Sequence, residues 1–131
     1  MTFTDASGTS RHRAIRVLLV EDSETVRMLT AEYLRGLGCN VVDVDAAEVA
    51  LDRLLAGESF DVLFTDQSLP GMSGMDLARK VRHAYPRMHL IISSGFDQVP
   101  DLVDLLPRVR FLPKPYDLTA LDQALAAVSG V

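Results

Sequence analysis

The sequence has little of what marks a secreted, membrane-spanning or nucleic-acid-binding protein. Its single cysteine, Cys39, excludes an internal disulfide and a cysteine-based metal cluster. No apolar run approaches the ~20 residues that a membrane-spanning helix needs, and residues 1–13 lack the hydrophobic stretch of a secretory signal. Basic residues are outnumbered, with 13 Lys and Arg against 18 Asp and Glu, which disfavours binding to phosphate backbones. We therefore expect a soluble, cytoplasmic protein that binds neither membrane nor nucleic acid.

What the sequence does contain is typical of one globular domain. Its 131 residues are 48% hydrophobic and 24% charged, which suffices for a single core. The polar residues 1–14 are predicted to form a flexible tail, and residues 15–131 the domain. Cys39 stands before a predicted strand and is expected to be a small core residue.

Short aliphatic runs alternate with stretches of helical spacing through this domain. The runs, each predicted to form a strand, are Val17–Val20, Val41–Val44, Val62–Thr65, His89–Ile92 and Val109–Leu112. Ser73 and Asp117 stand where helix N-caps are expected. A short helix is predicted at Asp101–Leu106, between Pro100 and Pro107. Five strands alternating with about five helices predict an α/β domain of flavodoxin-like type, a three-layer (βα)5 fold whose parallel sheet has the strand order 2-1-3-4-5.

Hydrophobic spacing also predicts which helix residues face the core. The set expected for the first helix is Val26, Leu29, Thr30, Tyr33 and Leu37. The set expected for the second helix is Ala47, Leu51, Leu54 and Leu55.

Polar side chains follow the ends of four predicted strands. Glu21 and Asp22 follow the first strand and Asp66 ends the third. Ser94 follows the fourth strand and Lys114 the fifth. In a sheet of this order the carboxyl ends of the strands meet at one edge, where such folds bind ligands. We therefore expect three acids, a hydroxyl and a lysine to lie close together.

This combination of groups is typical of phosphoryl transfer. Three adjacent carboxylates repel one another unless a cation compensates, and carboxylates, a backbone carbonyl and water are the ligands that Mg²⁺ prefers. Lys114 and the hydroxyl of Ser94 can both bind an anion. Asp66 would then be the nucleophile that accepts the phosphoryl group. Each group alone also has an ordinary explanation as a turn former, helix-dipole partner or solvated side chain, whereas their joint occurrence at the ends of different strands is harder to dismiss.

With these residues assembled, the sequence resembles the receiver domain of two-component response regulators over about residues 15–129. The motifs that carry the resemblance are VLLVEDSETVR, DVLFTDQSLPGMSGMDLARKVR, IISSG and FLPKPY. The resemblance implies that Asp66 accepts phosphate from a phosphohistidine on a histidine kinase or a histidine phosphotransfer protein. It also implies signalling to a downstream protein whose identity the sequence does not give, by a monomer or a phosphorylation-dependent dimer. Such a domain assists its own phosphorylation and hydrolysis and is not a multiple-turnover enzyme.

The resemblance assigns a role to each group at the predicted edge. Asp22 would bind Mg²⁺ directly and Glu21 through water, while Asp66 and the backbone carbonyl of Ser68 would complete the protein ligands. The roles implied for the remaining residues are a hydrogen bond from Ser94 to the phosphoryl group, electrostatic pairing of Lys114 with it, and a cis peptide between Lys114 and Pro115.

The resemblance also implies a conformational switch and a slow hydrolysis of the phosphoryl group. Ser94, which stands where the family more often has Thr, would move with the aromatic residue Phe111 on the fifth strand. Phe96 would shield the phosphoryl group from water and slow its hydrolysis.

Three other functions fit the residues less well. A phosphorylation-independent interaction module would need none of the acidic groups that the sequence retains. An aspartyl-phosphate phosphatase of the haloacid dehalogenase type would carry a second acid two residues after the nucleophile, where this chain has Ser68. Flavin binding would favour a phosphate-cradling loop after the first strand, where Glu21 and Asp22 stand instead.

Overall fold

The computed structural model describes His12, residues 14–95 and residues 98–129. The strands are β1 (Arg16–Val20), β2 (Asn40–Val44), β3 (Val62–Asp66), β4 (His89–Ser94) and β5 (Val109–Pro113). The α-helices within the described residues are α1 (Glu24–Gly36), α2 (Ala47–Leu55), α3 (Gly74–Ala84) and α4 (Leu118–Ser129). None of these helices is long and apolar enough to cross a membrane.

All five strands pair in parallel in the order β2-β1-β3-β4-β5. This confirms the predicted flavodoxin-like fold and its strand order. The central strand β3 is buried at every residue, as expected for a parallel strand with helices on both faces. Its carboxyl end therefore holds Asp66 on a strand that is buried along its whole length.

The core has two halves, one on each face of the sheet. On one face β1 and β3 pack with α2 and α3 around residues such as Leu63, Leu77 and Val81. On the other face the same strands pack with α1 and α4 around Phe64 and Leu121. Cys39 lies in this second half, buried as predicted.

The predicted faces of the first two helices were partly wrong. Leu29 is 47% exposed and Leu55 is 79% exposed, whereas the sequence analysis placed both in the core. The alanines Ala31 and Ala50 are buried instead. Small side chains let a helix backbone approach the sheet closely, so a pattern based on large aliphatic residues misjudges the helix rotation.

The short helix predicted at Asp101–Leu106 is absent. A single 3₁₀ turn at Val103–Leu105 takes its place. The side chain of Asp101 accepts a hydrogen bond from the backbone N–H of Val103 at 3.0 Å, a local alternative to a helix. Pro107 follows at once and ends any continuation, since proline restricts the residue before it to extended conformations.

The guanidinium of Arg82, in α3, holds this irregular segment in place. Its Nε donates to the carbonyl of Leu105 at 3.1 Å and its Nη2 to that of Arg108 at 2.7 Å. Its Nη1 donates to the carbonyls of Pro86 at 3.0 Å and Met88 at 2.7 Å. One side chain therefore satisfies four backbone acceptors on both sides of β4.

The predicted tail of residues 1–14 includes a residue, His12, that belongs to the fold. His12 is 1% exposed, its backbone N–H donates to the carbonyl of Leu37 at 3.0 Å, and its Nε2 lies 2.7 Å from Oδ1 of Asp122. His12 was assigned to the tail because the sequence around it is polar, whereas its position is fixed by Leu37 and Asp122, which are distant in sequence. The other tail residues apart from Ala14 lie outside the described part of the chain.

Candidate functional site

Three carboxylates meet at the carboxyl edge of the sheet. Glu21 and Asp22 stand between β1 and α1, and Asp66 is the last residue of β3. One carboxylate oxygen of each lies within 4.8 Å of the others, an arrangement that could hold a metal ion. Glu21 and Asp66 are only 4% and 6% exposed, whereas Asp22 is exposed. Two of the acids are thus fixed inside the fold and the third faces solvent.

Lys114 lies between the two buried acids. Its Nζ is 3.0 Å from Oε1 of Glu21 and 3.2 Å from Oδ1 of Asp66. Burial opposes the charged form of this amine, but the hydrogen bond with Glu21 and the charges of Asp66 and Glu21 outweigh it and raise the pKa of Lys114. The backbone N–H of Lys114 donates to the carbonyl of Ser94 at 2.8 Å, and the Lys114–Pro115 peptide is cis.

Both carboxylate oxygens of Glu21 are engaged. While Oε1 pairs with Lys114, Oε2 accepts a hydrogen bond from the backbone N–H of Ser23 at 3.0 Å. The backbone carbonyl of Glu21 accepts from Nη1 of Arg27 at 2.9 Å, and Nε of Arg27 lies 3.3 Å from Asp43 on β2. Arg27 was missed by the sequence reasoning, although it belongs to the motif VLLVEDSETVR and stands one helical turn from the acids.

Two buried hydroxyls end β4 beside Asp66. Ser93 and Ser94 are 1% and 2% exposed, and neither Oγ has a hydrogen-bond partner among the described residues. Ser93 pairs in register with Asp66, and Ser94 with Pro113 on β5. A buried hydroxyl without a partner is uncommon and calls for an explanation such as a role in ligand binding. The sequence reasoning singled out only Ser94 of this pair.

The loop after Asp66 is tightly shaped. The backbone N–H of Gly74 donates to the carbonyl of Gln67 at 3.1 Å, and a Cβ at Gly74 would collide with the backbone carbonyl of Asp66. The side chain of Gln67 accepts from the N–H of Met75 at 2.8 Å. Ser68, whose carbonyl the resemblance made a metal ligand, is exposed in this loop.

The remaining predicted residues lie around this centre or outside the described chain. Phe111 is half-buried on β5, paired in register with Ile92. Phe96 lies outside the described residues. Tyr116, to which the sequence analysis gave no role, has its pKa raised by burial, and the charges of Lys114, Glu21 and Asp66 act on its hydroxyl.

The charges of the site do not balance. Counted formally, the three carboxylates and Lys114 give the cluster a net charge of −2. An exposed carboxylate, a buried one and nearby backbone oxygens suit a hard divalent cation. The lysine and the unpaired hydroxyls provide donors for an anion next to it.

Several known proteins are similar to this chain. The family model of the response regulator receiver domain matches residues 17–126. The response regulator protein FleR of Pseudomonas aeruginosa is 34% identical over 115 residues, which cover 86% of this chain and 24% of that protein. The sensor protein TorS of Escherichia coli is 34% identical over 119 residues, which cover 86% of this chain and 12% of that protein. The chain thus spans a quarter or less of the length of these two relatives.

A solved structure gives the same fold. The response regulator receiver domain protein from Clostridium thermocellum superposes with a TM-score of 0.80 at 24% identity, over 88% of this chain and 94% of that chain. At this identity the likeness concerns the fold alone.

Proposed function

Because the chain belongs to the response regulator receiver domain family, we propose that it is a phosphoacceptor in a two-component phosphorelay and that Asp66 takes the phosphoryl group. The family consists of signalling modules of two-component systems. One observation carries the proposal: carboxylate oxygens of Glu21, Asp22 and Asp66 lie within 4.8 Å of one another, and the ammonium of Lys114 contacts Glu21 and Asp66.

In the proposed step a carboxylate oxygen of Asp66 attacks the phosphorus of a phosphohistidine on a histidine kinase or phosphotransfer protein. A P–O bond forms and the P–N bond breaks, with its electron pair returning to the imidazole nitrogen. Asp66 needs accurate placement for in-line attack, and the fully buried strand β3 supplies it.

The residues present fit a magnesium ion. The net charge of −2 matches a divalent cation, and we propose Asp22, Asp66 and the carbonyl of Ser68 as its direct protein ligands. Glu21 would act through water, with its Oε2 held by the backbone N–H of Ser23. When bound, Mg²⁺ would neutralise charge on the oxygens of the transferred group.

Two groups of the chain would then hold the new phosphoryl oxygens. Lys114 is poised beside Asp66 at 3.2 Å and can exchange its contact with Glu21 for one with the phosphoryl group. The buried hydroxyl of Ser94 can donate the hydrogen bond that it lacks among the described residues. Its movement toward the phosphoryl group, followed by Phe111, would shift the population of conformations that a downstream protein reads.

The test is phosphoryl incorporation from acetyl phosphate with Mg²⁺, read as intact mass. We expect one added phosphoryl group, lost in Asp66→Asn and lost when Mg²⁺ is chelated. The matched control is Asp45→Asn, since Asp45 is an exposed acid just after the edge strand β2 and should leave incorporation unchanged.

A second donor covers the possibility that a partner is required. Transfer from a phosphorylated histidine phosphotransfer protein should also label Asp66. Folded chain that accepts phosphate from neither donor would contradict the proposal and leave the phosphorylation-independent interaction module as the better description.

A further inference from the structure

A partly buried pair of hydroxyls joins the segment after Lys114 to α1. The hydroxyl of Tyr116 lies 2.7 Å from Oγ1 of Thr30, although the two residues are far apart in sequence. Thr30 is 2% exposed, so this hydrogen bond forms inside the fold. The ring of Tyr116 packs on Phe64 with centroids 5.8 Å apart and planes tilted by 59°. Tyr116 therefore spans α1, β3 and the segment that follows β5.

The position of Tyr116 places it beneath the candidate site. Phe64 stands two residues before Asp66 on β3 and so lies on the same face of the sheet. Lys114, Glu21 and Asp66 all act electrostatically on the Tyr116 hydroxyl, and burial raises the pKa of Tyr116. The phenol therefore stays protonated at neutral pH and able to hydrogen-bond Thr30.

The segment 114–117 is fixed at both of its ends. Its first residue, Lys114, donates its backbone N–H to Ser94. Its last residue, Asp117, caps α4 by accepting the N–H of Ala120 at 2.9 Å. Between them Tyr116 has its ring and hydroxyl packed inward, while Pro115 is exposed. Tyr116 is thus the residue that can set how deeply the middle of this segment sits.

We propose that the Thr30–Tyr116 hydrogen bond positions Lys114 toward Glu21 and Asp66. The amine of a lysine stands at the end of a long flexible side chain, so its reach depends on where the backbone is held. Without the hydrogen bond the segment would sit less deeply, and the amine would leave the two carboxylates more often. The consequence for phosphoryl transfer rests on the proposed function, whereas the consequence for Lys114 itself does not.

Amine labelling tests the position of Lys114 directly. The chain has two lysines, and the exposed Lys80 on α3 is an internal reference. Limited acetylation followed by peptide mass analysis gives the ratio of labelling at Lys114 to that at Lys80. Each of Tyr116→Phe and Thr30→Val should raise this ratio by about threefold to tenfold, the factor that one ordinary hydrogen bond represents.

The variants include controls for a general loss of structure. Tyr116→Phe with Thr30→Val should give no larger ratio than either change alone, because both remove the same contact. Thr30→Ser keeps the hydroxyl and should behave as the native chain. Tyr85→Phe removes a comparable hydroxyl, which donates to the carbonyl of Leu54 at 3.2 Å, and should leave the ratio unchanged. Ratios for Tyr116→Phe and Thr30→Val within about twofold of the native value would overturn the inference.

Phosphorylation provides the second readout. With acetyl phosphate, Tyr116→Phe and Thr30→Val should slow incorporation by about threefold to tenfold, while Mg²⁺ affinity measured by amide chemical shifts stays within about twofold. Equal losses in rate and Mg²⁺ affinity would show general damage and contradict a role centred on Lys114. If the native chain takes a phosphoryl group neither from acetyl phosphate nor from a phosphorylated phosphotransfer protein, the proposed function fails, and the labelling ratio alone still decides whether the hydrogen bond positions Lys114.

Discussion

Arg82 should be among the most important polar side chains for stability, although it is not one of the residues of the candidate site. Its four hydrogen bonds go to backbone carbonyls of residues 86, 88, 105 and 108. The bonds to Leu105 and Met88 are partly buried, and a hydrogen bond from a charged donor in such a place contributes about 1.5 kcal/mol or more. The other two lie at the surface and contribute a few tenths of a kcal/mol each. Arg82→Met should therefore lower the free energy of unfolding by about 3–4 kcal/mol.

Urea unfolding followed by circular dichroism measures this loss. Arg82→Lys keeps the charge but cannot reach four diverging carbonyls, so it should lose more than half as much as Arg82→Met. Arg79→Met is the matched control, because Arg79 lies on the same helix with its contacts to Asp76 and Asp104 stretched to 3.6 and 4.0 Å. Its loss should stay below about 0.5 kcal/mol.

Hydrogen exchange locates the effect. The amide of Leu105, which donates to the carbonyl of Leu102 at 2.9 Å, should exchange faster in Arg82→Met than the global loss of stability requires. A stability of Arg82→Met within about 0.5 kcal/mol of the native chain would refute the idea that this guanidinium holds the irregular segment.

Three further predictions concern single residues. Gly74→Ala should destabilise the chain by about 1–3 kcal/mol, measured by thermal unfolding, because its Cβ would meet the carbonyl of Asp66; an unchanged midpoint would contradict this. Burial raises the pKa of the Cys39 thiol to about 12, so iodoacetamide at pH 8 should modify it only in denaturant, and modification of the native chain would show that Cys39 is accessible. Above about pH 10 the free energy of unfolding should fall. The pKa of Lys114 is raised in the folded chain, so its stabilising contribution is complete below pH 10.5 and is lost as the pH rises through the pKa of the folded state. The pKa of Tyr116 is also raised, so the unfolded chain ionises this residue at a lower pH than the folded chain does. Tyr116→Phe should flatten that fall in urea titrations at several pH values, and an equally steep fall would remove Tyr116 from the explanation.

The sheet and its order were predictable because local patterns determine them. Apolar runs such as Val62–Thr65 are typical of parallel strands that are buried on both faces, and few topologies connect five of them through short crossovers. The convergence of Glu21, Asp66 and Lys114 followed from the same topology, since it depends on where strands end and not on side-chain detail.

What could not be predicted depends on contacts between distant residues. Burial of His12 depends on Leu37 and Asp122, and the hydrogen bond of Tyr116 depends on Thr30. The rotation of α2, which exposes Leu55, depends on how closely alanines approach the sheet. No local sequence pattern predicts such pairings, because each partner is a residue type that is common in its own helix or loop.

On its proposed role, Ser94 lowers the stability of the domain and at the same time serves signalling, because its buried hydroxyl has no partner among the described residues. A buried donor without an acceptor weakens a fold by about 1–3 kcal/mol, and among the described residues the hydroxyl of Ser94 has no partner. On the proposed role, an arriving phosphoryl group would recover part of that free energy and thereby favour the conformation that binds it. Ser94→Ala would then give a domain that is more stable yet responds less.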